Sequence, residues 1–176
     1  SSVNETVTNF LHDPLAQTFM VPDDGGSFIT SVDFFFGAKD ENLPVWAEIR
    51  NAVNGYPSPK ILPFGRKVLE PSQVNLDATT AATPTTFTFD SPVYLQEGIE
   101  YAIVLYSDST DYTAYVARLG EKVIGSNRTI SSQPNIGILF KSANNRSWTA
   151  EQMEDLKFTF FNSEFKEIIG IADSDF

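Results

Sequence analysis

The chain of 176 residues contains one histidine, His12, and no cysteine, so nucleophilic and metal chemistry have few residues to draw on. A Ser-His-Asp site would have to use His12, which lies beside Pro14, and no Gly-x-Ser-x-Gly elbow supplies a nucleophile. His12 reads instead as a residue contacting backbone or solvent. A disulfide framework, a thiolate metal site and a cysteine nucleophile are excluded, and zinc has no ligand set. Hard oxygens for calcium occur at Asp23 and Asp24, in residues 107–111 and in residues 173–175. None follows the twelve-residue pattern closed by a glutamate, and such residues build turns by bonding their own backbone. A glycosidase needs two carboxylates ~5–10 Å apart across a cleft. Glu41, Glu48, Glu70, Glu97 and Glu100 are available, and nearly all fall where the pattern predicts solvent or a turn. No catalytic residue, metal or cofactor is therefore assigned, and the chain reads as a binding or assembly protein rather than an enzyme.

The chemistry left is stacking and burial. Trp46, Tyr56 and Trp148 are the candidate ligand-binding residues: Trp46 shares a strand face with Glu48, and the other two fall in loops. The plainer roles are that Trp46 covers a sheet edge and Tyr56 packs under its own loop. The same rings can anchor a protein partner or stack on a sugar.

The elements that position these residues read as strands. Residues 16–21 alternate and end at a Pro-Asp-Asp-Gly-Gly turn. Residues 28–36 follow, with Phe28, Thr30, Val32, Phe34 and Phe36 on one face and Ile29, Asp33 and Phe35 on a partly wet one. In 45–50, Val45, Ala47 and Ile49 face inward, and Glu48 and Arg50 face solvent. Residues 54–59 read as a loop on account of Gly55, Pro57 and Pro59, 64–69 as a weaker strand, and 71–84 as a long surface loop. Residues 85–89 and 93–95 lead into 101–106, an almost wholly apolar run expected at the centre of a sheet. Residues 112–118, 136–140 and 156–161 complete the series, with one helical turn expected at 149–153. Eight to ten strands at this spacing, with 15 Phe, six Tyr and two Trp, predict an all-β, antiparallel, jelly-roll-like sandwich with short irregular or helical termini. The expected division is an N-terminal arm at 1–12, a sandwich at 13–165 and a C-terminal linker or tail at 166–176. The start at Ser1 and the apolar stretch 167–171 lead us to expect a piece of a longer protein.

The formal net charge of −11 disfavours bare nucleic acid and anionic membranes as partners. No apolar run approaches the ~20 residues of a membrane span.

Several segments together resemble a known module. Asp13-Pro14-Leu15-Ala16-Gln17-Thr18-Phe19 is followed by Ile29-Thr30-Ser31-Val32-Asp33, by Val45-Trp46-Ala47-Glu48-Ile49-Arg50 and by Asn54-Gly55-Tyr56-Pro57. Then come Phe87-Thr88-Phe89-Asp90-Ser91-Pro92-Val93-Tyr94-Leu95 and Glu100-Tyr101-Ala102-Ile103-Val104-Leu105. This order resembles β-sandwich domains of tail and baseplate wedge proteins of contractile-tailed bacteriophages over about residues 13–165. The resemblance implies a virion structural protein, an assembly module whose partners are other tail or baseplate proteins, oligomeric within that assembly. It carries no catalytic residue. Residues 51–63, residues 71–84 and the two termini are the expected contact surfaces. The same strand signature also resembles carbohydrate-binding modules of bacterial surface proteins, which implies an extracellular module recognising a cell-surface glycan.

Overall fold

The computed structural model describes residues 5–11, 13–21, 25–77, 83–118, 136–163 and 167–170. His12, Asp23, Asp24 and residues 173–175 lie outside these.

The architecture is an all-β antiparallel sandwich, as the alternation predicts. The strands are β1 (Glu5–Phe10), β2 (Leu15–Met20), β3 (Ser27–Phe34), β4 (Phe36–Ala38), β5 (Val45–Val53), β6 (Tyr56–Leu69) and β7 (Thr85–Leu95), then β8 (Glu100–Tyr106), β9 (Thr113–Arg118), β10 (Ile136–Lys141), β11 (Thr149–Glu151), β12 (Glu154–Leu156), β13 (Phe158–Asn162) and β14 (Glu167–Gly170). A six-stranded sheet runs β11-β10-β2-β8-β5-β6, and a four-stranded sheet runs β14-β13-β3-β7. In a third sheet β9 pairs with β1 along one edge and with β12 and β4 along the other. Strand β8 is central and buried over Tyr101–Leu105, as its apolar run predicts. The 5–10 stretch, expected as a helix or an extended arm, takes the extended form against β9. The helical turn expected at 149–153 is replaced by a short return between β11 and β12. β11 pairs with β10 and β12 with β9, so the backbone bonds of this stretch go to strand neighbours rather than to a helical turn.

The core is held by a continuous chain of rings. Tyr101 meets Phe19 at 6.1 Å, Phe19 meets Phe160 at 4.9 Å, and Phe160 meets Phe158 at 5.3 Å. Phe158 meets Phe34 at 6.3 Å, and Phe34 stands edge-on to Phe87 at 5.5 Å. Phe87 meets Phe36 at 6.3 Å, and Phe36 meets Tyr112 at 6.0 Å. The Phe19–Phe160 and Phe36–Phe87 contacts cross between sheets, which is why a Phe-rich composition suits this fold: each ring fills the ~10 Å gap between layers.

Strand β3 departs from strict alternation. Against β13, Ser31 pairs with Phe161 and Ile29 with Asn162, so β3 carries one extra residue, Thr30. The Thr30 hydroxyl lies 3.2 Å from the carbonyl oxygens of both Phe161 and Asn162. A bulge of this kind shifts the side-chain phase by one residue. Val32 and Phe34 therefore point into the core, as expected, while Phe28 is turned out and Ile29 is turned in. Phe35, expected on a wet face, is also buried. It falls where the chain passes from β3 to β4, packs with Tyr115, and carries the Lys157 ammonium 4.1 Å from its ring.

The 107–111 turn works as backbone scaffolding. Ser109 Oγ donates to Asp40 at 2.6 Å, and the amides of Asn42 and Leu43 donate to the same carboxyl group at 2.6 and 2.8 Å. These bonds, the serine's first, hold the Asp40 carboxyl below its usual range. Among the described residues, no group of three or more His, Asp or Glu is placed to hold a metal ion, and no helix is long and apolar enough to cross a membrane.

Beside this turn Tyr112 is fully buried and donates its hydroxyl to the Leu43 carbonyl at 2.7 Å. Burial first, then the charges of Asp40 and Glu70, push its phenol up to about 12. The unfolded phenol ionises near pH ~10. Because the folded value is the higher one, this contribution to stability is complete below about pH 10 and is lost as pH rises through about 12. Tyr112→Phe is expected to be less stable at neutral pH by about 1 kcal/mol, the worth of the hydrogen bond. Its stability should fall less steeply than that of the parent across this alkaline window, as read by urea denaturation. Parallel slopes would show that Tyr112 ionises as freely folded as unfolded.

Candidate functional site

The β5–β6 hairpin turns at Asn54 and Gly55, whose φ values of 52° and 82° are both positive. That is the requirement of a type I′ turn, which Asn-Gly meets. The 54–59 stretch, expected as a loop, is therefore a turn followed directly by strand. Pro57, Pro59 and Pro63 sit within β6 because it ends the order of its sheet, where a missing N–H costs no ladder bond.

The hairpin folds back over the outer face of its own sheet. Tyr56, beside the turn, places its ring 5.2 Å from Phe140 of β10, four strands away in the sheet order. Phe140 belongs to a small apolar cluster with Ala16 and Val104, against which Tyr106 and Trp148 pack. These residues lie on the face opposite the core. Trp46 extends the row, stacked on Tyr106 at 5.3 Å and 11°, with the Arg66 guanidinium 5.9 Å from its ring centroid. The three candidate aromatics thus share one sheet face: Trp46 and Trp148 half-buried, Tyr56 exposed.

Coverage of this face overturns one expectation. Glu48 and Arg50, expected in solvent, are 1% and 4% exposed and form an ion pair of 2.7 Å. Strand alternation does place them outward, but the returning hairpin covers that side. The Tyr106 phenol beside them is raised, first by burial and then by the Glu48 charge. Arg50 Nε is buried without a hydrogen-bond partner.

Between the hairpin and the 142–148 loop lies a cleft of about 410 Å³, lined by Pro57, Pro59, Asn145, Arg146 and Trp148. Asn144 fixes the loop: its Oδ1 accepts from the amides of Arg146 and Ser147 at 2.9 and 2.8 Å. Asn145 takes the left-handed conformation, φ 60°, and its Oδ1 is buried without a partner. Of the three predicted aromatics, only Trp148 lines the cleft.

A second feature stands on β6. Arg50 pairs with Ile61 and Glu48 with Arg66, so residues 62–65 oppose Ile49 alone. This wide bulge holds Phe64 outward, 60% exposed, at φ 62°. Gly65 permits it: a Cβ there would lie 2.9 Å from the Leu62 carbonyl oxygen and 3.1 Å from that of Ile49.

Comparison with protein-family models, with curated proteins and with solved structures finds no match. The functional reading therefore rests on this geometry and on the motif order. The prolines of the cleft escaped the sequence reading because the 51–63 stretch scans as loop, and the Phe64 bulge because 64–69 scans as a regular, weaker strand. The Asn54-Gly55 pair, the strongest short hairpin signal, was the clue available.

Proposed function

We propose that this domain is a docking module of a contractile-tailed phage tail or baseplate, a virion structural part that binds neighbouring tail proteins. The observation that carries the reading is Phe64. A left-handed backbone costs an L-residue about 1–2 kcal/mol, and glycine or asparagine would relieve it. A large ring held there, exposed on an edge strand, adds nothing to its own core and is available to a neighbour. Val53, Tyr56 and Val68, exposed on the same hairpin, extend the apolar surface. Lys60 and Arg66 lie exposed beside it on an otherwise acidic chain and suit a polar rim that steers an acidic neighbour. The motif order over residues 13–165 supplies the class of neighbour. Part of the 51–63 stretch, expected as a contact loop, is this bulge.

Phe64→Ser is expected to weaken binding to the tail or baseplate proteins encoded beside this chain by about 2 kcal/mol or more, and to leave thermal stability unchanged or higher. Calorimetric titration of the purified proteins measures the binding, and a thermal melt of each variant measures the stability. Equal binding by the parent and Phe64→Ser, or no binding by the parent, would sink the proposal.

A further inference from the structure

We infer that the cleft between the β5–β6 hairpin and the 142–148 loop binds a pyranose unit of a neutral glycan, independently of docking through Phe64. Its volume of about 410 Å³ falls within the ~300–1,000 Å³ of small-ligand sites. Its walls are rigid and flat: two proline rings, Pro57 and Pro59, and the half-buried indole of Trp148. The axial C–H face of a sugar ring lies well against such a surface, with the indole supplying the stacking face.

The polar groups select among ligands. Asn145 and Arg146 are consecutive on the same loop, and both line the cleft. A guanidinium only donates, whereas an amide both donates and accepts. Ring hydroxyls accept from Arg146, which is exposed at the cleft. An apolar peptide side chain would use neither group. An acidic ligand would meet Arg146 favourably but would approach a chain of net charge −11. A neutral, hydroxyl-rich ring satisfies the lining without that repulsion.

The site is also pre-formed. The Asn144 side chain pins the amides of Arg146 and Ser147, and the Ser142 hydroxyl accepts from the Asn144 amide at 3.3 Å. Little ordering remains to be done on binding, which matters most for ligands that bind weakly.

The test is nuclear magnetic resonance titration of the isotope-labelled chain with glucose, galactose, mannose, N-acetylglucosamine and short neutral oligosaccharides of each. At least one is expected to shift the Trp148 indole and Asn145 amide resonances at millimolar concentration. Trp148→Ala and Arg146→Ala are each expected to weaken binding at least about ten-fold, and Phe64→Ser to leave it unchanged. Should Trp148→Ala fail to fold, Arg146→Ala and Asn145→Ala are read in its place. The inference is overturned if no sugar moves these resonances, if cleft variants bind as the parent does, or if a proline-rich or acidic peptide moves them where no sugar does. Loss of sugar binding in Phe64→Ser would also overturn it, since the two surfaces would then not be independent.

Discussion

Glu48→Ala is expected to lower the stability of the domain by about 3–5 kcal/mol, the range for removing one partner of a buried ion pair. The carboxylate lies 2.7 Å from Arg50 Nη2 under the folded-back hairpin, and both side chains are almost wholly buried. Without it the Arg50 guanidinium remains sequestered with no countercharge, and its Nε already lacks a partner. Had the two residues been solvated, as strand alternation alone suggests, the same change would cost about 0–1 kcal/mol. Urea denaturation at neutral pH separates these outcomes by several-fold. The double variant Glu48→Leu with Arg50→Met is expected to recover most of the loss, because well-packed apolar residues replace a buried pair at little net cost. A single variant within 1 kcal/mol of the parent would mean that the hairpin does not lie over this face in solution.

Phe34→Ala is expected to cost about 3–5 kcal/mol, while Phe28→Ala on the same strand costs under about 1 kcal/mol. Phe34 is fully buried and joins Phe87 and Phe158 in the ring chain. Its removal opens a cavity between layers that the rigid surroundings cannot close. Phe28 is 53% exposed, on the far side of the Thr30 bulge, and meets only the Tyr94 ring at 5.1 Å among the aromatics described. An unbroken alternation would put both rings on one face and give them similar losses. Since a domain of this kind has ~5–15 kcal/mol in total, Phe34→Ala is read from a shifted denaturation midpoint at low temperature. Equal losses for the two variants would remove the bulge from the account of β3.

The two variants mark where local pattern stops informing. The inward set Val45, Ala47 and Ile49, the buried run of β8 and the paired Phe158 and Phe160 were legible because a strand's two-residue period is a local property. Trp46, Tyr56 and Trp148 were legible as candidates because large aromatics at outward or loop positions are few. That Trp46 stacks on Tyr106 while Trp148 lines a cleft was not legible, since it depends on which strands become neighbours.

From its amino acids alone this chain determines an antiparallel β architecture, the phase of most of its strands, and the lack of cysteine or clustered histidine chemistry. Each of these follows from residue type and short-range alternation. Tertiary structure alone decided that Thr30 is a bulge, that Glu48 and Arg50 are enclosed, that Phe64 is held out, and that Pro57 and Pro59 meet Trp148. Those outcomes require contacts between segments distant in the chain, such as Tyr56 on Phe140 and Thr30 on Phe161, and one added residue or one folded-back hairpin reverses which side of a strand is dry.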